Sequence, residues 1–170
     1  MEQKVTSTTI KGLIIGLVMI VISVGNYFIT ADPDNPVKYI IYAIFIGGII
    51  FSIYQYGKEI GNNATFGNYF SHGFKISALI TLLMIAFIIV FMLAFPEFKE
   101  KILDLIRKSM QSQKNVTSDQ IDKVIEFYKK GFWLIMIGGA LLSYLFMGAI
   151  ASLIGAAITK KNPRPLEQLD

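Results

Sequence analysis

Residues 76–96 read ISALITLLMIAFIIVFMLAFP and contain no Asp, Glu, Lys, Arg or His. Three further stretches, 12–31, 39–57 and 131–159, are equally free of those residue types. At about 1.5 Å per residue, each stretch is long enough as a helix to cross a hydrocarbon layer of roughly 30 Å. Backbone amides in lipid must bond within their own segment, which favours helices. The sequence therefore predicts an all-α integral membrane bundle of four transmembrane helices.

The composition supports a membrane environment. Of 170 residues, 54% are hydrophobic and 16% are charged, whereas soluble chains are typically about 25% charged. Core helices of a soluble protein are the alternative interpretation, but they are usually shorter and carry a polar face. A signal peptide could also explain the first stretch. That apolar run is longer than such peptides use and ends in a poor cleavage site at 29–31, so we expect it to be retained.

An aromatic stretch precedes the third span. Its aromatic residues fall at positions 66, 69, 70 and 74, which share one stripe of a helix, and Thr65 is placed to cap that helix. We interpret the stretch as a short helix in the headgroup region that leads into the third span, with a plain aromatic belt as the alternative. The candidate interfacial residues are Thr65, Phe66, Gly67, Tyr69, Phe70, Gly73 and Phe74.

Small residues recur at a spacing of four in the first and last spans. This spacing lets a second helix approach closely. Because the pattern runs along most of the last span, we expect that span to be the central packing helix. The candidate packing residues are Gly12, Gly16, Gly139, Ser143, Gly148, Ser152 and Gly155, with Ala151 paired to the last of them.

The main polar segment, 97–130, separates the third and fourth spans. Two apolar stripes at helical spacing predict two amphipathic helices with a break at 111–116. Thr117 and Gln120 have the spacing of a capping box for the second helix. The simplest arrangement is a helical hairpin whose stripes cover each other on the membrane surface; docking of a partner is the alternative.

Residues that carry chemistry are sparse. His72 is the single histidine, cysteine is absent, and no nucleophile or phosphate-loop motif occurs. We therefore predict no catalytic residues, no cofactor and no metal, and we expect a protein that is not an enzyme. Apart from tyrosine, the four uncharged stretches contain no ionisable residue, which argues against ion-coupled transport. The net charge of +4 is spread along the chain, which does not favour nucleic-acid binding.

The distribution of charge gives a preferred orientation. The side with both termini carries seven Lys and Arg residues and four acidic residues. The hairpin side carries nine Lys and Arg residues and eight acidic residues. A basic cluster, Lys160, Lys161 and Arg164, directly follows the last span. We therefore expect both termini in the cytoplasm.

The chain resembles the domain-of-unknown-function 4199 family of small bacterial membrane proteins. The resemblance rests on Gly12, Gly16 and Tyr27, on the aromatic stretch at 65–75, and on the charged hairpin before a glycine-rich last span. It implies an inner-membrane protein with four spans and no established activity. Genes of such proteins can neighbour those of glycosyltransferases that act on lipid-linked sugars, which motivates the second hypothesis below.

These observations lead to two functional hypotheses. The first is a structural or accessory membrane protein that packs against membrane lipid or against a membrane protein partner. The alternative is a small oligomeric transporter or a lipid-carrier flippase associated with a membrane glycosyltransferase. The sequence leaves the oligomeric state open.

Overall fold

The computed structural model describes residues 6–30, 35–113 and 116–162. These residues form six helices: α1 (Thr8–Thr30), α2 (Val37–Glu59), α3 (Phe66–Ala94), α4 (Glu97–Gln111), α5 (Ser118–Lys130) and α6 (Phe132–Ile158). No strand occurs in these ranges. The predicted all-α class is confirmed.

Four of the helices, α1, α2, α3 and α6, are long and apolar enough to cross a membrane. Their outer faces carry large exposed side chains, such as Val21 at 69% and Leu134 at 81% exposure. Apolar exposure of this extent is a liability in water but suits contact with lipid chains. The structure therefore agrees with the predicted bundle of four membrane spans.

Three of the spans begin earlier than their uncharged stretches, α2 by two residues at Val37. Helix α1 begins at Thr8 and so includes Lys11, and α3 begins at Phe66. The aromatic stretch is therefore helical and leads directly into the third span, as expected, and the two form one continuous 29-residue helix. No proline interrupts residues 65–76, so the hydrogen bonds of the helix backbone continue without a break into the span. Thr65 caps α3 as predicted, its side-chain oxygen accepting from the Asn68 amide at 3.4 Å.

Helices α2 and α3 each pack against all three other spans. Helix α6 makes the two most extensive contacts in the bundle, with α3 and with α2, so the last span packs closely as expected, although α2 and α3 hold the central positions. Helix α3 presents small and apolar residues on several faces. Its buried residues are Tyr69, His72, Gly73, Ile76, Ser77, Ile80, Thr81, Met84 and Met92.

The closest approach between helices joins α3 to α6. A methyl group on Gly148 would collide with the Ser77 hydroxyl, so a side chain at position 148 would force the helices apart. A Cβ on Gly155 would lie 2.6 Å from Ile53 Cδ1 on α2. The hydroxyl of Ser152 donates to its own helix, to the Gly148 carbonyl at 2.6 Å. The Ser152 hydroxyl is therefore satisfied within α6, whereas the buried Ser77 hydroxyl has no hydrogen-bond partner among the described residues.

The other predicted packing residues divide into two groups. Gly12 and Gly16 lie against Leu79 and Leu83 of α3. A Cβ atom added to Gly12 would lie 2.8 Å from Leu79 Cδ2, and one added to Gly16 would lie 2.9 Å from Leu83 Cδ1. This glycine pair thus serves a contact within the chain. A Cβ atom added to Gly139 would meet no other atom within 4 Å. Gly139 and Ser143 are both exposed.

The polar segment folds into the predicted helical hairpin. Thr117 and Gln120 form the capping box at the start of α5: each backbone amide donates to the other side chain, at 3.0 and 3.4 Å. Arg107 of α4 pairs with Asp122 of α5 at 2.9 Å. Buried Leu103 joins the hairpin to Met92 and Phe132 at the ends of α3 and α6. Residues 114 and 115, in the predicted break, lie outside the described residues.

The contact at Gly148 leads to a test with a matched glycine on the same helix. We expect Gly148→Ala to lower the free energy of unfolding by about 1–3 kcal/mol, because the added methyl overpacks the contact with Ser77. Gly139→Ala should leave stability unchanged or raise it slightly, since alanine favours helix and the position is open. Unfolding of both variants in detergent by denaturant titration measures the difference. Equal stability of the two variants would contradict the close contact.

Candidate functional site

A buried ion pair joins α1 to α2 at the end of the bundle that carries the termini. The Lys11 ammonium lies 3.1 and 3.2 Å from the two carboxylate oxygens of Glu59. The two side chains are 6% and 16% exposed. The backbone amide of Thr6 donates to the same carboxylate at 3.1 Å. Both charges are therefore compensated at a depth where unpaired charges are costly.

An aromatic cluster lies at the same end of the bundle. The imidazole of His72 stacks on the Tyr56 ring with centroids 4.0 Å apart and planes 9° apart. The Tyr69 ring packs edge-on against Tyr56, and its hydroxyl donates to the Lys160 carbonyl at 3.3 Å. His72 is buried, and its Nε2 has no hydrogen-bond partner among the described residues. His72 thus lies inside the bundle.

The candidate interfacial residues separate into two faces of α3. Phe66, Phe70 and Phe74 follow a spacing of four and lie at the outer side, where Phe70 and Phe74 stack with centroids 5.7 Å apart. Tyr69 and Gly73 are buried against the other helices. The expectation of one outward aromatic face is therefore wrong at Tyr69. Thr65 and Gly67 are exposed at the start of the helix.

A partly open cleft of about 220 Å³ lies at the other end of the bundle, where the hairpin begins. We call it the hairpin-side cleft. All four spans and α4 contribute to its walls. Its lining comprises Ser23, Asn26, Tyr27, Asn35, Lys38, Ile41, Met84, Phe87, Ile88, Phe91, Met92, Phe98, Met136 and Tyr144.

The polar and apolar parts of this cleft are separated along the helices. Asn35 and Lys38 belong to the start of α2, close to the boundary of the bundle. Met84 lies ten residues before the end of α3, roughly 15 Å deeper at the rise of an α-helix. The cleft therefore has a polar mouth and an apolar interior, which is the arrangement that an amphiphile requires.

The hairpin is tied to the mouth of the cleft by Tyr27. The Tyr27 hydroxyl donates to the Glu97 carboxylate at 2.6 Å, and this hydrogen bond lowers the pKa of Glu97. The Phe98 ring packs against Tyr27 and Phe91, with centroid distances of 5.7 and 5.3 Å. The Lys101 ammonium lies 5.7 Å from the centre of the Tyr27 ring. The first turn of α4 thus forms one wall of the cleft.

Neither the Lys11–Glu59 pair nor the hairpin-side cleft was predicted from the sequence, because each depends on how separate helices meet. Lys11 and Glu59 flank different spans, and their pairing depends on how α1 meets α2. The pairing of Lys11 with Glu59 could have been predicted, because the start of the first span and the end of the second lie on the same side of the membrane. For the cleft, the signal was Ser23 and Asn26, which lie three residues apart on one face of α1.

Metal binding receives no support from the described geometry. Across the ranges 6–30, 35–113 and 116–162, no group of three or more His, Cys, Asp or Glu residues could hold a metal ion. The side chains that meet at the two polar sites are suited to ion pairing, stacking and hydrogen bonding.

Four apolar spans, a surface hairpin and a lateral amphiphilic cleft define a multi-pass helical membrane protein. Residues 11–161 match the family described as protein of unknown function DUF4199, and the chain belongs to that family. The match covers all four spans and the hairpin. No curated protein and no solved structure matches the chain.

The Lys11–Glu59 pair leads to a second test. We expect Glu59→Ala to destabilise the protein by about 3 kcal/mol, because it leaves the Lys11 ammonium buried without its partner. Replacing both residues together, Lys11→Met with Glu59→Leu, should recover most of this loss. Denaturant unfolding of the detergent-solubilised variants measures both effects.

The exposed pair Glu126–Lys130 serves as the matched control, with its atoms 2.8 Å apart and its side chains 65% and 77% exposed. Glu126→Ala should leave the unfolding midpoint unchanged, since water screens an exposed pair. Equal effects of Glu59→Ala and Glu126→Ala would show that the Lys11–Glu59 pair is not buried.

Proposed function

We propose that this protein is a non-catalytic accessory protein of the membrane that holds a lipid in the hairpin-side cleft. The observation that carries the proposal is the division of the cleft into a polar mouth, with Asn35 and Lys38, and an apolar interior reaching Met84 and Tyr144. Membrane lipids have the same division of polarity. They are also present at high concentration around the exposed faces of all four spans.

The size of the cleft indicates how much of a lipid it takes. Its volume of about 220 Å³ is below the roughly 300–1,000 Å³ of pockets that enclose a small molecule. A lipid would place part of one chain and the adjoining headgroup region in the cleft. The rest of the molecule would remain in the bilayer, so the bound lipid would extend the surface that the protein offers to a membrane partner.

The interior of the bundle favours holding a lipid over moving one. Along α2, fully buried Phe45 and Ile49 lie between the cleft residues and the polar cluster near Glu59. Along α3, fully buried Ile80 lies between Met84 and His72, beside the buried hydroxyl residues Ser77 and Thr81. The Thr81 hydroxyl donates within its own helix, to the Ser77 carbonyl at 2.8 Å. The interior therefore holds large apolar side chains and isolated hydroxyls, and residues 76–84 of α3 include no charged residue. A transporter or flippase would need an oligomer, or a different state of the bundle, to form a polar path.

The proposed location is the bacterial inner membrane with both termini in the cytoplasm. At the terminal end, Lys58 and Lys161 lie over the aromatic rings of Tyr54 and Phe66, at 4.5 and 5.7 Å. Lysines anchored on aromatic residues suit an anionic cytoplasmic leaflet. The only described acid at this end, Glu59, is engaged by Lys11. Arg164, which also supported this orientation, lies outside the described residues.

A block of the cleft tests the proposed function. We expect Ser23→Phe to fill the space beside Asn26 and Tyr27 and to reduce co-purifying lipid about tenfold, because the bulky ring takes the volume of the chain. Native mass spectrometry of protein released from mild detergent counts the lipids that remain bound. Val21→Phe, on the exposed lipid-facing side of the same helix, is the control and should retain the wild-type amount. Undiminished lipid on folded Ser23→Phe would overturn the proposal.

A further inference from the structure

Three hydroxyl side chains line the hairpin-side cleft, and they differ in what they bind. Ser23 donates to the Met19 carbonyl at 2.8 Å. Tyr27 donates to the Glu97 carboxylate at 2.6 Å. The hydroxyl of Tyr144 forms no hydrogen bond with the described residues, although Tyr144 is buried with 9% of its surface exposed. A buried hydroxyl without a partner is costly, and most of all within the hydrocarbon of a membrane.

Tyr144 lies well inside the fourth span. It is twelve residues after the start of α6, so its backbone is roughly 18 Å from the hairpin end. Side chains on a helix lean towards the N-terminus of that helix, which for α6 is the hairpin end. The Tyr144 ring packs against the Phe45 and Tyr42 rings of α2, at centroid distances of 5.2 and 6.4 Å. With its ring covered by α2, Tyr144 turns its hydroxyl to the cleft, between the mouth and the depth of Met84.

We propose that the lipid held in the cleft is an acyl ester of glycerol, and that the Tyr144 hydroxyl donates a hydrogen bond to one of its ester carbonyls. The inference rests on the proposed function and narrows the ligand from lipids in general to ester-linked glycerolipids. In such a lipid the carbonyls lie between the headgroup and the hydrocarbon chains. The cleft has the same order, with Asn35 at the mouth, then Tyr144, then the apolar side chain of Met84.

The surroundings of Tyr144 favour a neutral acceptor. Residues 132–158, which form α6, include no charged residue. An anionic group at this depth would lose its hydration without a cation on α6 to compensate it. A carbonyl oxygen accepts a hydrogen bond without carrying a full charge, so it satisfies the hydroxyl at a smaller cost of desolvation.

Lipids without a carbonyl fit the cleft less well. The oxygen of an alkyl ether is a weaker acceptor than the oxygen of an ester carbonyl, and a polyisoprenoid chain has no acceptor below its headgroup. Either ligand would cover the Tyr144 hydroxyl with hydrocarbon and leave it without a strong partner. Tyr144 therefore determines specificity at the junction between the headgroup and the chains.

The test compares two forms of phosphatidylethanolamine with the same headgroup and chain length, the diester and the dialkyl ether. They are added in equal amounts to the delipidated full-length protein in detergent. We expect native mass spectrometry to show about fivefold preference for the diester, which corresponds to about 1 kcal/mol, the net contribution of one neutral hydrogen bond.

Tyr144→Phe should bring this preference close to one, because it removes the hydroxyl and keeps the ring that packs on Phe45. The ratio of the two lipids is measured within one sample, so it does not depend on the amount of folded protein. Tyr54→Phe, at a position on α2 that is 46% exposed and outside the cleft, is the matched control and should keep the wild-type ratio.

The outcomes separate this inference from the function on which it rests. If Ser23→Phe removes bound lipid while the wild type takes the ester and the ether equally, the cleft holds lipid and the role of Tyr144 is wrong. A preference for the ester that survives Tyr144→Phe would also overturn that role. If Ser23→Phe removes no lipid, the proposed function fails and the inference fails with it.

Discussion

The hydrocarbon of a membrane offers no hydrogen-bond partner to a peptide group, and the structure follows from this constraint. Each of the four spans satisfies its own backbone as a helix. Charge is confined to the ends of the bundle for the same energetic reason. Lys11, in the first turn of α1, is buried at one of these ends, and its ammonium is paired with both oxygens of the Glu59 carboxylate, which also accepts from the Thr6 amide.

Once the spans are helical, close contact decides how they associate. Lipid chains are as apolar as leucine, so the hydrophobic effect gives little reason for helices to meet in a membrane. Small residues supply the missing attraction by letting backbones approach, as Gly148 does at Ser77 and Gly12 does at Leu79. Helices α2 and α3 each contact all three other spans, and the most extensive contact joins α3 to α6. The outer faces keep large side chains for contact with lipid.

Local signals in the sequence predicted much of this fold, and contacts between helices explain what they missed. The spans and the caps at Thr65 and Thr117 depend on neighbouring residues, so periodicity and capping patterns identified them. The inward position of Tyr69 and the open position of Gly139 depend on which face of a helix meets a neighbour. The hairpin-side cleft combines residues from five helices and the segment before α2. No stretch of sequence contains that combination, although Ser23 and Asn26 marked its polar side.

The two ends of the bundle differ in character: an ion pair and stacked rings close the terminal end, and the cleft opens beside the hairpin. This description requires the hairpin and the termini to lie on opposite sides of one membrane.

The chain contains no cysteine, so single cysteines at Ser112 and Asn162, both exposed, can be labelled in intact bacterial spheroplasts with a membrane-impermeant maleimide. The account predicts labelling of Ser112→Cys from outside and of Asn162→Cys only after permeabilisation. Reversed labelling would contradict the proposed orientation, and labelling of both from the same side would contradict four membrane crossings.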